Sequence, residues 1–230
     1  FKQKTAYEIS QNFPGHVFPV VGIGASAGGL DAFKKLVKAI PQNSGMAYIL
    51  VQHLHPGHES ALPEILQKDA QIPVSEITDN VHVDPDHIYV IPSNKLLVAH
   101  EGLLRLSPRP VQDEPNKPID LFFSSLAEVY QSDAIGVVLS GTGTDGTAGL
   151  TDIKNHGGIT FAQDLASAAY DGMPRSAIEA ETVDFILSPE SIPRRLMALK
   201  ESFNAFSTAG GYPSGGHVDQ EGQRKIMALL

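Results

Sequence analysis

The feature that most constrains the fold is the alternation of short, wholly apolar runs with segments of helical periodicity. Pro19–Ile23 and Ala47–Val51 are apolar runs of strand length. Between them, hydrophobic residues recur at helical spacing over Leu30–Ile40, until Pro41 ends the pattern. Strands without polar alternation are typical of a parallel sheet that is covered on both faces.

The same order continues along the rest of the chain. Further strands are predicted at Ile135–Leu139 and Ile159–Ala162, and further helices at Glu59–Gln67, Ile119–Val129, Gly146–His156, Pro174–Ala180 and Ile192–Phe206. Between the two halves, Val81–Leu106 is rich in β-forming residues and broken by turn sequences. We therefore predict an α/β fold: a doubly wound, mostly parallel β-sheet with helices on both faces and an antiparallel hairpin excursion.

Length and apolar content are consistent with one large domain. A chain of 230 residues with a hydrophobic share of 42% can bury one sizeable core. We expect an N-terminal extension over residues 1–18, the globular domain over 19–206, and a linker with the start of a following helix over 207–230. Because the chain opens on Phe1 and closes within a helix-like segment, we expect it to be a piece of a longer protein.

Composition excludes several classes of function. A formal net charge of −9 argues against nucleic acid as a partner, because nucleic-acid affinity comes from clustered cations. The absence of cysteine excludes disulfides, thiolate metal sites and a cysteine nucleophile. The longest apolar runs are too short to span a bilayer, so we expect no membrane insertion and a cytoplasmic location.

Three polar residues follow predicted strands, at the edge where parallel sheets bind ligands. Ser26 lies in Gly24–Gly28, a G-x-S-x-G turn that lifts a serine hydroxyl clear of the sheet. His53 directly follows the second strand, and Asp145 lies in the glycine-rich loop Gly141–Gly146. A serine hydroxyl needs a base to accept its proton and a carboxylate to orient that base. We therefore predict a catalytic triad of Ser26, His53 and Asp145.

The backbone after Ser26 supplies a further part of such a site. A helix begins directly after the turn, so the N–H of Ala27 should point toward negative charge that develops beside Ser26. No cofactor is needed for acyl transfer by these residues.

Four motifs resemble the signatures of the CheB chemotaxis methylesterases. They are Gly24–Gly29, Gln52-His53, Gly141–Gly146 and Gly172–Arg175. The resemblance implies hydrolysis of glutamyl methyl esters on methylated chemoreceptors and deamidation of certain glutamines, within two-component signalling. It also implies that Ser26, His53 and Asp145 are the catalytic residues.

The chain departs from the family pattern in two respects. The family's second oxyanion N–H lies in a Gly-Met-Gly-x-Asp-Gly loop, and Thr142 stands at the methionine position, so the resemblance implies the backbone N–H of Thr142 as the second oxyanion donor. The usual family form has a receiver domain ahead of the esterase, and no such segment fits before Val20. The histidine-rich stretch His53–Ser60 resembles fusion versions that join the esterase to a methyltransferase domain.

Alternative interpretations of these motifs remain. Gly22–Ala27 also fits the dinucleotide fingerprint G-x-G-x-x-A, although Gln52 stands where that fold needs an acid. The histidines His53, His55 and His58 could ligate zinc, and we otherwise expect His55 and His58 on the surface or rim. Asp145 alone could cap the helix that follows it. Finally, the domain could be a non-catalytic interaction module within a signalling fusion.

Overall fold

A computed structural model of the protein describes residues 18–52, 61–109 and 117–206. Its strands are β1 Val20–Ala25, β2 Ala47–Gln52, β3 Val74–Glu76, β4 Val81–His82, β5 His87–Val90, β6 Lys95–His100, β7 Leu103–Pro108, β8 Ala134–Val138, β9 Ile159–Gln163 and β10 Phe185–Leu187. Its α-helices are α1 Gly29–Ala39, α2 Leu62–Gln67, α3 Pro118–Tyr130, α4 Thr147–Asn155, α5 Gly172–Glu179 and α6 Ile192–Phe206. Within these residues no helix is long and apolar enough to cross a membrane.

Seven strands form one parallel sheet in the order β10-β9-β8-β1-β2-β5-β3. The chain winds outward from β1 through β2 and later returns to β8 on the other side of β1. The direction of winding therefore reverses between β1 and β8, and the carboxyl ends of the strands at such a point are where open α/β sheets bind ligands. Strands β4, β7 and β6 form a separate antiparallel sheet. The predicted fold class is confirmed.

Helices cover both faces of the parallel sheet. Leu50 of β2 belongs to a buried cluster that includes α1, α2 and α6. Its neighbour Ile49 belongs to a second buried cluster that includes α3, α4, α5 and the antiparallel sheet. Successive side chains of a strand point to opposite faces, which explains why an unbroken apolar run is needed at this position.

Two glycines in β1 allow α3 to pack directly on the sheet. A Cβ at Gly22 would lie 2.9 Å from Cε1 of Phe123, and one at Gly24 would lie 3.0 Å from Cδ1 of Ile119. Both glycines of the dinucleotide-like fingerprint are thus required by helix packing. Because these glycines have no side chains, the N-terminus of α3 lies beside the carboxyl end of β1.

The structure corrects the prediction for Val81–Leu106. Only part of this segment is antiparallel, because His87–Val90 pairs in parallel with residues Ala47–Leu50 of the main sheet. Two edge strands, Val74–Glu76 and Phe185–Leu187, were not predicted. Each has three residues, too few to show a periodic pattern.

The predicted helix boundaries differ from the observed ones by a few residues. Helix α4 begins at Thr147 rather than Gly146, because Gly146 has a left-handed conformation with φ of 96°. Helix α5 begins at Gly172 rather than Pro174. Part of the predicted helix Glu59–Gln67 falls on residues outside those described.

Candidate active site

Ser26 occupies a tight turn between β1 and α1. Its backbone N–H donates to the carbonyl oxygen of Ser140 at 2.9 Å, and its carbonyl accepts the N–H of Gly29 at 2.9 Å. Gly28 has φ of 72°, which favours glycine, and a Cβ there would lie 2.8 Å from Cβ of Ala169. Ser26 is half-buried. The predicted strand-to-helix turn is therefore present, with the serine at the carboxyl end of β1.

The two predicted oxyanion donors lie in loops that meet at Ser26. Ala27 follows Ser26 directly, and Thr142 follows Gly141, where an added Cβ would lie 3.0 Å from Cβ of Ser26. Across residues 18–52, 61–109 and 117–206, neither Ala27 nor Thr142 donates a backbone hydrogen bond. Both N–H groups are therefore available to an acceptor supplied by a substrate.

Asp145 lies in the loop after β8 and is only 5% exposed. Its Oδ2 accepts the N–H of Ile119 at 3.1 Å, and its Oδ1 accepts the N–H of Asp120 at 2.9 Å. These donors belong to the first turn of α3, where N–H groups lack intrahelical acceptors. The Asp145 carboxylate therefore caps α3 and not the helix that follows it, whose first N–H groups donate to Asp120 instead.

Asp120 makes the reciprocal contacts from α3 to α4. Its Oδ1 accepts the N–H of Gly146 at 2.8 Å and the N–H of Gly149 at 2.9 Å. Its Oδ2 lies 3.2 Å from Nζ of Lys117, and the residue is only 8% exposed. The two carboxylates therefore cap helices reciprocally: Asp145, which precedes α4, caps α3, and Asp120, which lies in α3, caps α4. The sequence analysis missed Asp120, although an acidic residue in the first turn of a helix is a known stabilising signal.

Ser140 joins three segments around Ser26. Its N–H donates to Oε1 of Gln163 at 2.9 Å, and its Oγ lies 2.8 Å from the carbonyl oxygen of Ala27. The same Oγ accepts the N–H of Tyr170 at 3.0 Å. Sequence analysis did not single out Ser140, because no local motif marks a buried serine that bonds across three loops.

An open depression adjoins the serine turn, formed by Thr142-Gly143 and the segment Ala168–Gly172. Within it, Tyr170 is 51% exposed. Its ring lies beside the serine turn, since a Cβ at Gly28 would be 3.2 Å from the Tyr170 Cδ2. The backbone of Tyr170 is fixed, because its carbonyl oxygen accepts the N–H of Gly141 at 2.9 Å. The depression thus has a rigid base and an exposed aromatic side chain.

Asp171, at the end of this segment, forms an ion pair with Arg175 of α5. Hydrogen bonding to the Asp171 carboxylate raises the pKa of the Arg175 guanidinium. Both charges lie on the surface next to the depression, and they compensate each other there.

The base predicted for the triad, His53, lies outside the described residues, as do His55 and His58. Strand β2 ends at Gln52, so His53 is the next residue after the strand that neighbours β1. Its role remains a prediction. Among the residues that the structure does describe, no group of three or more histidine, aspartate or glutamate side chains could hold a metal ion.

Comparison with known proteins identifies relatives over most of the described chain. The family model for CheB methylesterase matches residues 21–196. A relative from Leptospira interrogans is 33% identical over 186 residues, covering 80% of this chain and 96% of that protein. A Photorhabdus laumondii protein named protein-glutamate methylesterase/protein-glutamine glutaminase is 34% identical over 183 residues, covering 78% of this chain. This chain spans about half of that relative's length, at 52%.

A solved structure shows the same fold. The crystal structure of the Thermotoga maritima CheB methylesterase catalytic domain superposes with a TM-score of 0.73 at 31% sequence identity. The match covers 79% of this chain and 98% of that one.

Proposed function

Because the chain belongs to the CheB methylesterase family, we propose that this hydrolase removes methyl esters from glutamate side chains of chemoreceptor-like proteins. The observation that carries the proposal is the meeting of Ser26 and the loop of Asp145 at the point where the sheet winding reverses. A serine in such a strand-to-helix turn is suited to attack a carbonyl carbon, and the neighbouring loops offer N–H donors to the developing oxyanion.

The reaction has two halves. Ser26 Oγ attacks the ester carbonyl carbon while His53 accepts its proton, and the N–H groups of Ala27 and Thr142 stabilise the oxyanion. Collapse of this intermediate breaks the bond to the methoxy oxygen, which takes the proton from His53 and leaves as methanol. Water, deprotonated by His53, then hydrolyses the glutamyl-serine ester and releases glutamate. With glutamine as substrate, ammonia would leave instead of methanol.

Asp145 would orient the imidazole and balance its transient positive charge. Its two hydrogen bonds from the first turn of α3 support this role, because they hold both carboxylate oxygens in place before the reaction begins. A carboxylate that is already fixed loses little free energy to reorientation at the moment of proton transfer.

The partner and location follow from the same assignment. We propose that the substrate is a methylated chemoreceptor or a similar signalling protein. The enzyme would act on it in the cytoplasm, without a cofactor and without binding nucleic acid. Residues 19–206 would form the catalytic unit, a proposal supported by the family match over residues 21–196.

Methanol release from a methylated chemoreceptor fragment tests the proposal. The protein should release methanol in proportion to the glutamate formed, and rapid acid quenching should trap the substrate glutamate as an ester on Ser26. If neither methanol nor ammonia were released from methylated or amidated receptor, the proposed function would be wrong.

The family departure at Thr142 gives a first prediction. We expect Thr142→Met to change kcat by less than about tenfold, because the proposed donor is the backbone N–H, whereas loss of a donor costs about 10²–10³. The measurement is kcat for methanol release, with thermal unfolding as a check on folding. A fall in kcat of about 10² or more in a folded variant would mean that the Thr142 hydroxyl itself takes part in the reaction.

The exposed ring of Tyr170 gives a second prediction. Tyr170→Ala should raise KM for methylated receptor by about tenfold, since losing an aromatic interface contact often costs over about 1 kcal/mol. Hydrolysis of a small methyl ester should be unchanged, because such a substrate does not reach beyond the serine turn. Ile186→Ala is the matched control, because Ile186 is 49% exposed on the edge strand β10. Equal effects of both variants on KM would show that Tyr170 has no specific contact with the receptor.

A further inference from the structure

We propose that Asp120 is a positioning residue for the triad, and that it sets the orientation of the Asp145 carboxylate by joining the first turns of α3 and α4. This inference rests on the proposed function, because it assigns Asp120 a task only if Asp145 orients the catalytic base. Within the part of the chain that the structure describes, Asp120 makes no hydrogen bond or ion pair with Ser26 or with the depression.

Asp120 contacts the Asp145 region in both directions. Its backbone N–H donates to Oδ1 of Asp145 at 2.9 Å, and its own Oδ1 accepts the N–H of Gly146, the next residue, at 2.8 Å. A third bond, from the N–H of Gly149 at 2.9 Å, ties the same oxygen to α4. Displacement of the Asp120 side chain would therefore shift both the donor and the backbone that fix Asp145.

Close packing leaves this arrangement little freedom. A Cβ at Gly149 would lie 3.0 Å from the carbonyl oxygen of Asp120, so α3 and α4 approach each other directly at this point. Lys117 offsets the Asp120 charge, with Nζ 3.2 Å from Oδ2, which is buried as well. The buried oxygen Oδ1 is left to the two N–H groups of α4. The geometry of that oxygen, rather than the carboxylate charge, thus determines the position of Asp145.

A second contact between the same helices provides a matched control. Ser124 of α3 donates to Oδ2 of Asp152 of α4 at 2.5 Å, one turn farther from the site than Asp120 and Gly149. This bond joins α3 to α4 without touching Asp145. Its removal should weaken the packing of the two helices but leave the orientation of the Asp145 carboxylate unchanged.

The test compares Asp120→Asn, Asp120→Glu and Asp120→Ala with Asp152→Ala. The asparagine keeps an acceptor oxygen at the position of Oδ1, whereas glutamate keeps the charge but moves the oxygen by one methylene. We expect Asp120→Glu and Asp120→Ala to lower kcat for a small methyl ester by about 10–10², since a misplacement of 1 Å can cost about 10². Asp120→Asn should stay within about fivefold of wild type by the same argument, and KM should change little in all of them.

The pH profile separates positioning from general destabilisation. A carboxylate held against an imidazolium raises the pKa of the imidazole. If Asp145 is misplaced, the pKa of the His53 imidazole should therefore be lower than in the wild type. The acidic limb of kcat/KM should therefore move to lower pH in Asp120→Glu and Asp120→Ala. It should not move in Asp152→Ala, even where that variant loses as much thermal stability.

The outcomes distinguish this inference from the proposed function. Wild-type turnover in Asp120→Glu, or equal losses of kcat in Asp120→Glu and Asp152→Ala, would overturn the positioning role. If Asp120→Ala does not fold, the comparison of Asp120→Asn with Asp120→Glu still decides the question. Wild-type turnover in Asp145→Asn would instead overturn the triad itself.

Discussion

Replacing Ser26 with alanine is expected to reduce methanol release from a methylated chemoreceptor by about 10⁶-fold, the scale of loss on removing the nucleophile of a serine hydrolase. The reason is chemical, because no other group at the serine turn can form the acyl intermediate. The loss should appear in kcat with little change in KM. The fold should be retained, since Ser26 Oγ makes no hydrogen bond with any residue in the described ranges and its removal adds no atom to the tight turn.

The control for this variant is Ser107→Ala, which removes an exposed hydroxyl from β7 in the antiparallel sheet. It should release methanol at the wild-type rate. Substantial release by Ser26→Ala in a folded state, measured with the same receptor preparation, would exclude acyl transfer through Ser26.

The sequence predicted the central strands because their burial is visible in their composition. A strand was predicted at Ala47–Val51, and the observed strand is Ala47–Gln52. Its side chains belong alternately to the two hydrophobic clusters, so both of its faces are buried. His87–Val90 was assigned to a hairpin because its parallel partner, β2, lies some forty residues earlier in the chain. Pairing at that distance leaves no local pattern, whereas the turn sequences that suggested a hairpin are local.

The same distinction applies to the site. The serine turn and the Asp145 loop were predicted because each is a short motif that follows a strand. Asp120 was missed because its partners, Gly146 and Gly149, are 26 and 29 residues away and meet it only when α3 packs on α4. Ser140 was missed for the same reason, since its Oγ meets Ala27 across 113 residues of chain.

The remaining large effect is expected at the histidine that follows β2. His53→Ala should remove nearly all turnover, by about 10⁶-fold, because Ser26 then has no base to accept its proton. His55→Ala and His58→Ala should stay within about tenfold of wild type, since neither is needed to transfer a proton to or from Ser26.

The same three variants separate a triad from a zinc site. A triad uses one imidazole at the end of a strand, whereas zinc would need several of these histidines together as ligands. Treatment with a chelator should therefore leave methanol release by the wild type unchanged, and His53→Ala should be inactive with or without added zinc. If all three substitutions were equally damaging and chelation abolished activity, a metal-bound water would be the nucleophile. Ser26→Ala would then retain turnover, so the two sets of measurements give opposite patterns for the two mechanisms.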